Sequence, residues 1–211
     1  MQTVKDKIRL DKKLILNLIL FCVFAGYLAF NGLLLARHEP WRDEANVWLM
    51  ARELSPAGLF AEIRYQGHPY LIVMPFAKLG LPFRSIGLIS YSIMAVTAGI
   101  YLFKAPIHPF VKAASLFSPA FSYFYADIAR NYCLIALILI LLAVCYPKRN
   151  EKAVCYGLLL GLLVQADTIA IAAAGMISLM WLCENLWRSY KEKSPAAALR
   201  ILKGIWIPPA R

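Results

Sequence analysis

The sequence predicts an all-α fold: a polytopic bundle of about six membrane-spanning helices, with amphipathic juxtamembrane helices in the loop after the first span. Three observations predict it. First, 61% of the 211 residues are hydrophobic and 17% charged, against about 45–50% and about 25% in soluble domains. Second, the apolar residues come in long charge-free blocks, whereas soluble surface helices alternate apolar and polar faces. Third, Lys and Arg gather at the ends of those blocks, where they act as topology determinants in membrane proteins.

Residues 14–36 carry no charge between Lys13 and Arg37. At about 1.5 Å per residue they span a hydrocarbon core of roughly 30 Å. A cleaved signal peptide is the competing reading, but its apolar region runs to about 7–15 residues and ends at a small-residue site. This run is longer and ends Leu33-Leu34-Leu35-Ala36-Arg37. Further charge-free runs lie at 85–103, 113–126, 131–146, 153–166 and 168–183, with a shorter apolar piece at 69–77. Several are short for a span of about 20 residues, so their helices are expected to extend past the flanking charges.

The basic start (Lys5, Lys7, Arg9, Lys12, Lys13) should be cytoplasmic. If 69–77 lies at the interface without crossing, every basic loop falls inside, and Asp43, Glu44, Asp127 and Asp167 all fall outside. If it crosses, three basic clusters face outward, so the first topology is preferred. Residues 1–211 are then a single transmembrane domain: first span 14–36, outer loop 37–68, remaining spans 69–187 and cytoplasmic tail 188–211.

The net charge of +11 would suggest nucleic acid in a soluble protein. Here the basic residues flank apolar runs, and no nucleic-acid partner is expected. The five cysteines form no C-x-x-C pair and read as small buried hydrophobes. A transporter or flippase-like component is the alternative from another class, with a non-catalytic scaffold as a third. Transport needs polar groups buried within the spans, and these spans contain almost none.

Residues 37–68 are the longest non-spanning stretch, opening His38-Glu39-Pro40-Trp41-Arg42-Asp43-Glu44. Pro40 and the two acids suit a helix start, and Trp41, Ala45, Trp48 and Leu49 share one helical face. A second amphipathic piece is expected at 57–65, with Leu59, Phe60 and Ile63 as its apolar face, before Gln66-Gly67-His68-Pro69. Asp43 and Glu44 read either as helix-start solvation or as chemistry. A carboxylate there, near His38 and His68, can take a proton from a hydroxyl. Its neighbour can hold a divalent cation against a lipid phosphate. Arg130 reads as a snorkelling interfacial residue or a phosphate clamp, with Asp127 orienting it or paired to it. Tyr123, Tyr125 and Tyr132 read as an interfacial belt, and His108 as an inner-side loop residue.

Trp41-Arg42-Asp43-Glu44-Ala45, Gly67-His68-Pro69 and Ile128-Ala129-Arg130-Asn131-Tyr132 together resemble membrane glycosyltransferases of the GT-C fold, in the branch related to protein mannosyltransferases and lipid A aminoarabinose transferases. The resemblance covers 14–187. It implies a cell-envelope enzyme of a bacterial plasma membrane, active on the outer face. The donor it implies is a polyprenyl-phosphate sugar, and the acceptor a lipid, glycan or protein. Carried over, Asp43 is the base, and Glu44 positions it or assists a metal. A divalent cation stays open, because parts of the superfamily work without one. Trp41, His68, Asp127 and Arg130 become substrate-binding candidates, although His68 equally fits a His-Pro helix start. Asp167 falls where related enzymes carry a polar lipid-phosphate contact, a role an acid fits poorly. Such enzymes are usually longer, so the resemblance implies that this chain matches only their N-terminal half, as a fragment, a truncated gene product or a compact relative.

Overall fold

The computed structural model describes residues 2–66 and 73–191, and within them every regular element is helical. In chain order these are α1 (Gln2–Arg37), α2 (Arg42–Glu53), α3 (Pro56–Gln66), α4 (Met74–Lys78), α5 (Ser85–Lys104), α6 (Pro109–Leu116), a π-helical turn (Ala120–Phe124), α7 (Tyr132–Cys145), a 3-10 turn (Tyr146–Lys148), α8 (Ala153–Ala166) and α9 (Thr168–Lys191). Among the described residues three helices are long and apolar enough to cross a membrane: Lys12–Arg37 of α1, α5 and α9. Helices α7 and α8 are apolar but only 14 residues each. They end at their flanking polar residues and do not run past them, contrary to the sequence expectation.

The bundle is built by successive neighbours: α1 against α5, α5 against α7, α7 against α8, and α8 against α9. Leu20 and Tyr27 of α1 meet Ala98, Tyr101 and Leu102 of α5. Ile138 and Leu142 of α7 meet Tyr156, Leu160 and Leu163 of α8 and Ala170 and Ala174 of α9. Large apolar side chains cover the opposite faces, such as Leu14 (59% exposed) and Phe21 on α1 and Ile169 (75%) and Met176 on α9. Surfaces of that character suit lipid. Between helices in lipid, close packing replaces the hydrophobic effect as the driving term. Small residues serve it: a Cβ on Gly87 would lie 2.5 Å from Leu35 Cδ1, at the α1–α5 contact.

The expected helix over 113–126 is broken. Helix α6 starts at Pro109 and stops at Leu116, and the chain then bends through Phe117 and Ser118 into the π-helical turn. One cause is visible. Pro119 has no N–H to continue a helical ladder. Separately, Lys112, which closes the basic stretch 104–112 that the preferred topology puts inside, is buried at 6% exposure and donates to the carbonyls of Leu102 (2.6 Å) and Ala105 (3.3 Å). It thereby caps the last turn of α5.

The α2 face also differs from expectation. Glu44, Val47, Trp48 and Ala51 are buried, whereas Trp41 and Leu49 are half-exposed. The core under α2 is supplied by Val73, Ala77, Ile86 and Ala129, which lie far along the chain. In α3, Ser55 Oγ accepts the Gly58 N–H at 3.1 Å, an N-cap. Leu59 is buried there and Phe60 is not, and the Ile63 side chain lies outside the described residues.

Contacts fix the helix directions. Asn131 before α7 donates to the Ala166 carbonyl that ends α8, and Asp167 starts α9 beside it. At the far end Arg149 pairs with Glu184, and Trp181 donates to Asn150. One end therefore gathers Asp43, Glu44, Asp127 and Asp167 together with Arg37, Arg42, Arg84 and Arg130, so its charges balance; it is the acidic end only in holding the site's carboxylates. The other carries Lys104, Lys148, Arg149, Lys152, Arg188 and Lys191, a basic end.

Candidate functional site

The site is assembled at the acidic end from three segments. Helix α1 stops at Arg37, and three residues (His38, Glu39 and Pro40) carry the chain to Trp41, an extended residue (φ −76°, ψ 155°) at the N-cap of α2. Asp43 and Glu44 in the first turn favour the positive helix end. Glu44 Oε2 accepts the Trp41 backbone N–H at 2.9 Å, one half of a capping box. The third segment follows the π-helical turn. There the N–H groups of Asp127 and Ile128 both donate to the Tyr123 carbonyl (3.0 and 3.2 Å), and that of Arg130 to Ile128 (2.8 Å). This tight turn presents the Ala129 N–H and the Arg130 side chain towards α2.

Two rungs join the segments. In the inner one, the Ala129 N–H donates to Glu44 Oε1 at 2.6 Å, with Glu44 fully buried. In the outer one, Arg130 Nη1 donates to Asp43 Oδ2 at 3.2 Å, where the Asp43 side chain is 47% exposed. Below the inner rung, His38 Nε2 lies 2.9 Å from Glu44 Oε2 and Nδ1 lies 3.1 Å from Asp127 Oδ2. Burial by itself pulls the His38 imidazole down, but the bonds and charges of Glu44 and Asp127 outweigh it and hold the ring above its ordinary value of about 6.5.

Arg130 also stands at a cavity of about 510 Å³, with Trp41, Phe124, Tyr125, Ile128, Tyr132, Leu139 and Ile169 among its walls. The Arg130 guanidinium lies 5.5 Å from the Tyr132 ring centre. The cavity is apolar along its length and cationic at one end, with a half-exposed carboxylate held beside the cation. That arrangement suits an amphiphile with an anionic head.

Asp43, Arg130 and Trp41 thus come together. Glu44 does not join them: both of its oxygens are engaged by Ala129, Trp41 and His38. Nor does Asp127 orient Arg130, since its carboxylate goes to His38 and the acid that meets Arg130 is Asp43. Asp167 is an N-cap, accepting the Ile169 N–H at 2.9 Å. His68 lies outside the described residues. Tyr125 and Tyr132, read as belt residues, line the cavity. Among the described residues no group of three or more His, Cys, Asp or Glu is arranged to hold a metal ion. Comparison with family models, with curated proteins and with solved structures gives no match for this chain.

Proposed function

We propose that the chain is an integral membrane glycosyltransferase that moves a sugar from a polyprenyl-phosphate donor to an acceptor hydroxyl on the outer face of a bacterial plasma membrane. The observation that carries this reading is the pairing of half-exposed Asp43 with Arg130 at the head of an apolar cavity. The cavity takes the first part of the lipid chain, and Arg130 takes the phosphate through charge-assisted bonds. Asp43 removes the proton from the acceptor hydroxyl. The hydroxyl oxygen then forms its bond to the anomeric carbon as the bond from that carbon to the phosphate oxygen breaks, and polyprenyl phosphate leaves with its added charge against Arg130. The acceptor is a lipid, glycan or protein hydroxyl. No step is assigned to a divalent cation.

The same reading takes the six main segments (α1, α5, α6 with the π-helical turn, α7, α8, α9) as crossings, the acidic end outside and both termini inside. The test is transfer from a labelled polyprenyl-phosphate sugar in membranes containing the chain. Asp43→Asn is expected to lower the rate by about 10²–10⁴-fold, as loss of a general base does. Equal transfer by both proteins removes Asp43 from the chemistry.

A further inference from the structure

We infer that His38 is a positioning residue for the Asp43–Arg130 pair, and that it locks the two rungs together only while its ring carries both protons. The inference rests on reading that pair as the site. His38 sits between two carboxylates that come from different segments, Glu44 from α2 and Asp127 from the turn before Arg130. An ionised carboxylate only accepts hydrogen bonds, and a neutral imidazole has one donor and one acceptor nitrogen. Both contacts are therefore hydrogen bonds only for the imidazolium. Once a proton leaves, one nitrogen lone pair faces a carboxylate oxygen across about the same distance, a repulsive contact in a buried place.

Asp127 makes this dependence sharp. It is 6% exposed, its Oδ1 is buried with no hydrogen-bond partner, and Oδ2 has His38 as its side-chain partner. Its buried charge is thus balanced through the ring. The other charged groups around His38 are Arg37 and Glu39 beside it in the chain, Asp43 and Arg42 at the start of α2, and Arg130 across the turn. Exposed Arg84 at the start of α5 shares with His38 a second cavity of about 340 Å³. Arg84 disfavours the imidazolium but is screened by solvent; Glu44 and Asp127 favour it at hydrogen-bond distance.

The sign follows from the raised value of the ring. The lock contributes fully below about pH 6.5 and is lost as pH rises through the higher folded value. When it opens, the 127–130 turn separates from α2 and carries Arg130 away from Asp43.

Amide hydrogen exchange on the full chain in lipid nanodiscs, corrected for the intrinsic rate at each pH, reads this through the Ala129 N–H. Protection should fall about tenfold or more as pH rises through the titration of His38, followed independently by NMR of ¹⁵N-labelled histidine. In Asp127→Asn the side chain can donate or accept, so neutral His38 satisfies both neighbours. Protection there should stay high with no step. In His38→Gln it should be low and flat. A flat profile in the wild type, or a step that survives in Asp127→Asn, overturns the inference. The readout needs no substrate, so it separates from the transferase reading: a step without any sugar transfer keeps the lock and removes the function, while transfer without a step does the reverse.

Discussion

At the first turn of α2 each successive side chain is rotated by about 100° about the helix axis, and this alone sends two adjacent acids to different surroundings. Glu44 is carried inward to the Trp41 and Ala129 amides and His38, and Asp43 outward beside Arg130. Their replacements should therefore separate stability from activity. Glu44→Gln replaces a buried charged acceptor, a change worth about 2 kcal/mol, and should lower unfolding stability by that order in a denaturant titration in detergent. Asp43→Asn touches a half-exposed pair and should cost no more than about 0.5 kcal/mol. Equal losses would mean that Asp43 is as structural as its neighbour. The acidic pair, Trp41 and Arg130 could be picked out of the sequence because each stands beside an apolar run. The work of His38 could not. Its two partners are 6 and 89 residues away, and no local pattern links His38 to Asp127.

Single elements were legible where composition alone decides them. The runs at 85–103 and 153–166 fall on α5 and α8, and both proposed amphipathic pieces are helices. Periodicity was a weaker guide to which face is buried. It assigned Trp41, Ala45, Trp48 and Leu49 to the apolar face of α2; Trp48 is buried as assigned, but the partners of that face come from Val73, Ala77, Ile86 and Ala129 and select Val47 and Ala51 beside it, leaving Trp41 and Leu49 half-exposed. Lys112 shows the matching limit of counting charges, because a lysine that caps a helix looks in sequence like one that marks a loop. Lys112→Met keeps the stem and deletes the ammonium, leaving the Leu102 and Ala105 carbonyls without that donor. It should destabilise the α5–α6 corner by about 1–3 kcal/mol. Amide exchange around 102–106 checks it, and unchanged protection there would show that the cap contributes nothing.

Across the described residues, six segments alternate in direction, and the excess of lysine and arginine lies at the end by Arg149 and Glu184, while acids and arginines balance at the end by Asp43 and Arg130. No bilayer is needed for that alternation, which follows from contacts such as Asn131 to Ala166 at one end and Asn150 to Trp181 at the other. A bilayer gives the sorting its meaning, because basic loops are retained inside. The crossings proposed for α7 and α8 are the demanding ones. Fourteen residues reach about 21 Å, short of a hydrocarbon core of roughly 30 Å, so the bilayer must thin around this pair or flanking residues must snorkel. Thinning is cheapest where neighbours share it, and α7 and α8 lie side by side with α9 against them. Single cysteines in a cysteine-free background test the arrangement on intact cells. Exposed Glu39, at the acidic end, should as Cys react with a membrane-impermeant maleimide. Exposed His108 and Glu151, at the basic end, should as Cys react only after the cells are opened. If Glu151→Cys labels from outside while Glu39→Cys does too, the α7–α8 hairpin does not cross. The apolar cavity beside Arg130 would then be closed by helices lying within one leaflet.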